Sequence, residues 1–167
     1  RAGSSYFEGF ESDMSGWTGI SENTVNSWTL GEPPFGFDSD DFGERAWYTD
    51  IKTDQTGRAF IEQSSVTSPC FSFQGIQKPM VRLSLYSAFN TNWNDGAVLQ
   101  YKADSSIEWK NVGDINDGIN WYKDHNISGK PGGDKTIGWS TTSRGSGWVT
   151  ARHSLDELKG KTDVQFL

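Results

Sequence analysis

Asp38-Ser39-Asp40-Asp41, followed by Glu44, places four carboxylates within seven residues. Calcium takes about six to eight hard oxygen ligands, many of them loop carboxylates and carbonyls, so this run is a candidate cation site. A solvated acidic loop accounts for the same residues equally well. Asp95 and Asp117 each precede a glycine, and turn chemistry explains both without a metal.

A second group of residues suits a different chemistry. In Asn90-Thr91-Asn92-Trp93-Asn94-Asp95-Gly96 an indole stands among amides and a carboxylate. Three accounts of Trp93 stay open: a core residue folded back under its loop, a platform for a sugar ring, or the apolar centre of a protein contact. Sugars match this composition well. Their C–H faces stack on an indole while their hydroxyls bond Asn, Asp and Gln. The composition recurs in Asn116-Asp117-Gly118-Ile119-Asn120-Trp121-Tyr122, and Trp139 lies in the same Gly-, Asn- and Asp-rich stretch. Two such loops at one end of a fold would make one concave site from Trp93, Asn94, Asp95, Asn120, Trp121, Tyr122 and Trp139.

Covalent chemistry is harder to find. His125 and His153 are the two histidines, and neither stands in a nucleophile–base constellation, so both read as surface or supporting residues. There is no zinc spacing and no Gly-x-Ser-x-Gly elbow. The glycine-rich run from 129 to 147 does not match a phosphate-binding loop.

The chain that must position these residues has 167 of them, the size of one domain. Apolar residues make up only 34%, yet there are 8 Trp, 10 Phe and 5 Tyr, so aromatics must supply much of the core. The net charge of −7 and pI near 4.7 argue against nucleic acid as a partner, since its binders carry a basic stripe. They argue also against strongly anionic polymers and acidic membrane surfaces, and are compatible with neutral sugars and calcium. No apolar run is long enough to span a bilayer, and membrane insertion is not expected. The single cysteine, Cys70, can form no internal disulfide, and its context, Ser68-Pro69-Cys70-Phe71-Ser72-Phe73, predicts a buried strand.

Short strand signals dominate. They fall at 6–11, 27–31, 46–49, 58–62 and 66–73, the last broken by Pro69. Val81, Leu83 and Leu85 alternate with Arg82, Ser84 and Tyr86; Ala97, Leu99 and Tyr101 alternate with Val98, Gln100 and Lys102. The strands are expected at 80–89 and 97–103, and the link between them, seven residues with Asp95-Gly96, is long for a hairpin. Further strands are expected at 107–112 and 147–152. Ser154 with Glu157 matches a capping box and Gly160 can end the turn, which predicts one short helical turn near the C-terminus. Trp17, Trp28, Trp47, Trp109 and Trp148 sit in strand-like contexts and read as core. The expectation is an all-β, jelly-roll-like antiparallel β-sandwich: one domain over 6–167, after a linker remnant at 1–5. The ending inside Val164-Gln165-Phe166-Leu167 reads as a piece of a longer polypeptide.

Several anchors occur together. They are Phe10-Glu11 with Gly16-Trp17, then Ser27-Trp28-Thr29-Leu30-Gly31, Ala46-Trp47-Tyr48-Thr49-Asp50, Glu62-Gln63-Ser64, Ser68-Pro69-Cys70-Phe71, Ala97-Val98-Leu99-Gln100-Tyr101 and Glu108-Trp109. This set resembles the MAM-like, concanavalin-type jelly-roll modules appended to secreted bacterial proteases, glycoside hydrolases and adhesins. The resemblance covers about 10–112, with a weaker match at 147–167. Eukaryotic members carry paired cysteines; the single Cys70 favours the bacterial ones. The resemblance implies a structural calcium near the first strand, with Glu11 and Asp41 as first ligands and Asp38, Asp40 and Glu44 beside them. Catalytic members of the sandwich class carry Glu-x-Asp-x-x-Glu on one strand; here Glu8, Glu11 and Asp13 come nearest, at the wrong spacing.

The resemblance implies a non-catalytic, secreted or cell-surface module of a multidomain bacterial protein, binding a neutral polysaccharide or glycan. Its other partners would be further domains of the parent protein. The alternative is a cell-surface adhesion or protein-interaction module, and the third reading is a jelly-roll enzyme acting on polysaccharide.

Overall fold

The computed structural model describes residues 5–21, 28–33, 43–49, 55–56, 63–86, 94–140 and 148–167. The chain is all-β, and the strands among the described residues pair antiparallel. It divides into two compact units, Ser5–Pro69 and Cys70–Phe166.

In the first unit, β1 (Thr18–Ser21) pairs with β4 (Ser64–Thr67), and β2 (Trp28–Gly31) pairs with β3 (Ala46–Thr49). The expected strand at 6–11 does not form. Phe10 takes a left-handed backbone conformation, φ 62°, which breaks the extended run. Tyr6 and Phe10 instead pack around Trp17. The Trp17 indole N–H donates to the Tyr6 hydroxyl at 3.0 Å, and the Phe10 ring meets Trp17 edge-on at 5.6 Å. The expected strand at 58–62 lies outside the described residues.

The second unit holds β5 (Met80–Leu85), β6 (Gln100–Ala103), β7 (Lys110–Asn111), β8 (Val149–Ser154) and β9 (Val164–Phe166). The two clearest strands of the sequence, β5 and β6, are not paired with each other. β5 pairs with β8 over its whole length, Met80 opposite Ser154 and Leu85 opposite Val149. β6 lies between β7 and β9. A long link removes the local constraint that a tight turn would impose, so non-local partners take the strand edges.

Alternation decides which side chains enter the core. On β8, Ala151 and His153 are buried while Arg152 and Ser154 are exposed. Val164 and Phe166 of β9 face inward with Tyr101 and Ala103, their cross-strand partners. Phe71 joins this layer by bridging to Val164, and its ring lies 6.0 Å from Phe166. The helical signal after β8 becomes a 3-10 turn, Asp156–Leu158, that buries Leu158. Ser154 stays in the strand, and no side chain caps the turn. Gly160 follows at φ +79°, the conformation that lets the chain leave it. A second 3-10 turn spans Gly133–Lys135. Among the described residues, no helix is long and apolar enough to cross a membrane.

Cys70 is exposed, not buried. The strand β4 ends before Ser68-Pro69, and Phe71 takes the inward position, so its neighbour points out. The Asp163 carboxylate accepts a hydrogen bond from the thiol and raises its pKa, and partial desolvation adds to the effect. The thiolate is the nucleophile, so an exposed thiol held protonated reacts slowly. Alkylation of native Cys70 by iodoacetamide near pH 8 is expected to run slower than that of the unfolded chain, and Asp163→Asn should speed it. Equal rates for wild type and Asp163→Asn would show that the carboxylate does not control the thiol.

Candidate functional site

Trp121, Tyr122 and Trp139 belong to the core of the second unit. Trp121 and Tyr122 have no accessible surface, and Trp139 is 6% exposed. The three rings pack on one another: Trp121 and Trp139 centroids are 5.0 Å apart at 74°, Tyr122 and Trp139 4.7 Å apart at 69°. Both are edge-to-face arrangements favoured by the ring quadrupoles. Each ring's polar atom is paired with a main-chain group. Trp121 Nε1 donates to the Val112 carbonyl at 2.9 Å, and Trp139 Nε1 donates to the Asn120 carbonyl at 3.0 Å. The Tyr122 hydroxyl donates to the Leu99 carbonyl at 2.9 Å and accepts from the Leu99 N–H at 3.1 Å. In this structure, then, Trp121, Tyr122 and Trp139 offer no face to a ligand, contrary to their reading as a binding surface.

The reason lies in the polar residues around them. Asn116 and Asn120 adopt left-handed backbone conformations, φ 58° and 51°, and turn the chain inward at each end of the loop. Gly113 and Gly118 have positive φ and pass so close to His153 and to the Arg152 carbonyl, respectively, that a Cβ at either would collide. The loop's Asn, Asp and Gly content therefore serves backbone geometry. The Asn120 amide is itself occupied, donating to the Thr150 carbonyl at 2.9 Å.

The two loops do meet, through Trp139 and Ser140. Ala97 bridges Trp139, Ser140 Oγ donates to the Asp95 carbonyl, and Trp139 Nε1 reaches the 116–122 loop at Asn120. Asn94 and Asp95 remain exposed, with Asn94 Oδ1 accepting from Ser128 Oγ at 2.6 Å. Asp124 is fully buried, and its carboxylate accepts the Ser140 N–H at 2.8 Å. His125 is exposed. His153 is 8% exposed, its ring 4.9 Å from that of Trp121 and tilted by 39°, with Nε2 3.0 Å from Asp117 Oδ2.

Trp93 lies outside the described residues, as do Asp38, Asp40 and Asp41. Glu11 and Glu44, the other two acids of the cation set, are exposed. Glu11 comes to the far end of the acidic run: its Oε1 accepts the Arg45 N–H at 2.9 Å, and it fills the space where a side chain on residue 43 would sit. Among the described residues, no three His, Cys, Asp or Glu side chains cluster to hold a metal ion.

A polar, aromatic surface forms where it was not expected, on the outward face of the β7–β6–β9 sheet. Gln100 and Asn111 are cross-strand partners, and Gln100 Nε2 donates to Asn111 Oδ1 at 2.9 Å. Asn111 Nδ2 donates to the Gly132 carbonyl at 3.1 Å, which fixes the amide plane. Lys102 lies opposite Gln165 on the same face, and its ammonium stands 4.8 Å from the Trp109 ring centroid. All five side chains are half-buried. Trp109 reads as core in the sequence but occupies the sheet face. The signal was present: Gln100 and Lys102, and Trp109 and Asn111, are spaced by two, the period of one strand face.

Comparison of the chain with protein-family models, curated proteins and solved structures finds no match.

Burial pushes the Tyr122 phenol pKa far above its ordinary value, despite the partly offsetting hydrogen bond at Leu99. The phenol is therefore a structural group across the working pH range. Tyr122→Phe would orphan the buried Leu99 N–H, a loss of about 1–3 kcal/mol. Urea unfolding is expected to show that loss with an unchanged slope. An unshifted midpoint would mean that the ring alone, not its hydroxyl, holds the segment.

Proposed function

We propose that the chain is a non-catalytic binding module of a secreted or cell-surface multidomain protein, and that its ligand is a neutral polysaccharide or glycan. The outward face of the β7–β6–β9 sheet carries this reading. Gln100, Asn111 and Gln165 supply amide groups in fixed cross-strand positions beside the Trp109 indole. Beyond its bond to Asn111, the Gln100 amide keeps an N–H and a carbonyl oxygen for a ligand hydroxyl. Lys102 covers the indole, but a cation–π contact at an exposed site is worth only about 0.5–1 kcal/mol. Stacking of a flat partner on an aromatic ring is worth about 1–3 kcal/mol by analogy with bases, so a sugar can displace the ammonium.

A glycan array with and without calcium identifies the ligand. Trp109→Ala is then expected to weaken binding roughly tenfold to a hundredfold, since about 1.4 kcal/mol is a factor of ten. Its melting temperature should change little, because the ring is half-exposed. Unchanged affinity would sink this site, and turnover of any bound glycan would make the protein an enzyme.

The second part of the reading is a structural calcium held by Glu11, Asp38, Asp40, Asp41 and Glu44. The seat of Glu11 beside residues 43–45 supports it, because it brings an acid remote in sequence to the end of the acidic run. The Arg45 guanidinium bonds the Glu11 main-chain carbonyl at 3.4 Å and not the carboxylate. Calcium at a hundredfold excess over its Kd would stabilise the fold by about 2.7 kcal/mol by mass action. Chelated and calcium-loaded protein are therefore expected to melt at different temperatures; identical melting would remove calcium from the proposal.

A further inference from the structure

Asn126-Ile127-Ser128 is an Asn-x-Ser triplet with no proline at its centre, the acceptor pattern for N-linked glycans. No other asparagine in the sequence has Ser or Thr two residues on. Short patterns also arise by chance, so what matters is where the fold puts this one.

Main-chain bonds pin the turn on both sides of the asparagine. The Asp124 N–H donates to the Gly138 carbonyl at 3.2 Å, the Ile127 N–H to the Thr136 carbonyl at 3.0 Å, and the Gly129 N–H to the Asn94 carbonyl at 2.9 Å. Ile127 is fully buried, and its side chain packs so close to Gly96 that a Cβ there would crowd it. Asn126 itself has φ 60°, a left-handed conformation that asparagine tolerates better than most residues. Its side chain is left outside: Asn126 is exposed, as are His125, Ser128, Gly129 and Lys130. Among the described residues, the Asn126 amide makes no hydrogen bond. The side-chain amides of Asn94, Asn111 and Asn120 are all engaged. Asn116 shares the exposure and the left-handed backbone of Asn126 but has Gly118 two residues on. Turn geometry accounts for an asparagine at both positions. Only at 126 does it coincide with a hydroxyl at the second following residue.

We infer that Asn126 is the acceptor of an N-linked oligosaccharide. The donor is a lipid-linked oligosaccharide pyrophosphate. The Asn126 amide nitrogen bonds the anomeric carbon, the anomeric C–O bond breaks, the pyrophosphate leaves on its lipid, and the amide gives up one proton. Transfer precedes folding. In the folded protein the Ser128 hydroxyl donates to Asn94 Oδ1 at 2.6 Å and Ile127 is held in the core, so the triplet cannot open out for a transferase. The fold then accommodates the product. A glycan is bulky and hydrophilic and belongs at the surface, and an exposed amide with no bond to lose can carry one without displacing a neighbour. The inference rests on the secreted or cell-surface reading, because exported chains are the ones that meet such a donor. It does not depend on which ligand the β7–β6–β9 face takes.

Expression in cultured animal cells behind a cleavable secretion signal tests the inference. Supplying export in this way keeps the acceptor question apart from where the natural chain goes. The secreted protein is expected to carry a single glycan, read as a mass increase that peptide N-glycosidase removes, leaving aspartate at 126 in the tryptic peptide that spans it. Asn126→Asp and Ser128→Ala should each abolish the increase, and Ser128→Thr should keep it. Aspartate also tolerates the left-handed backbone, so Asn126→Asp removes the acceptor without straining the turn. A secreted, folded chain without the glycan would overturn the inference, and so would a mass increase that survives Asn126→Asp. A glycosylated chain that fails to fold where Asn126→Asp folds would overturn it too, because the turn would then not accommodate the sugar.

Discussion

Three aromatic side chains, each with its polar atom bonded to a main-chain group, hold the second unit together. A buried indole N–H or phenol O–H without a partner costs more than the bond itself returns, so each ring can enter the core only where an acceptor awaits it. Trp121, Tyr122 and Trp139 find theirs at Val112, Leu99 and Asn120. Those bonds tie together stretches that share little regular pairing. Residues 112–140 contain one 3-10 turn and isolated bridges, yet nearly half of the unit's buried apolar residues lie there. Aromatic packing and side-chain-to-backbone bonds do the work that long strand ladders do elsewhere.

This arrangement moves the candidate binding surfaces from the loops to the sheets. With Trp121 and Trp139 spent on the core, what reaches solvent at 94–95 and 116–120 is mainly amide, carboxylate and glycine, with Ile119 joining the β8 face. Trp109 is a half-buried aromatic held on the sheet among Gln100, Lys102, Asn111 and Gln165. A sheet is the more precise mount. Cross-strand register fixes the spacing of its side chains, whereas a loop must fix each one separately. On β7–β6–β9 that register sets amides around an indole.

The sequence by itself determined the class of fold. Period-two alternation at 81–85 and 97–102 marks strands because a pleated chain presents every second residue to one side, and that is a local property. The same rule correctly put Arg82 opposite in sense to Val81 and Leu83, and Gly160 marked the end of the last turn. Pairing was not legible. β5 finds β8 from more than sixty residues away, and no local pattern names a distant partner. Nor was burial legible for tryptophan, whose indole is apolar enough for the core and polar enough for a surface. Trp121 in a polar loop is buried and Trp109 in a strand is not, because the choice falls to whichever acceptor and packing surface the rest of the chain brings near. Only the tertiary structure supplies those neighbours, and so only it decided which aromatics are core and which reach solvent.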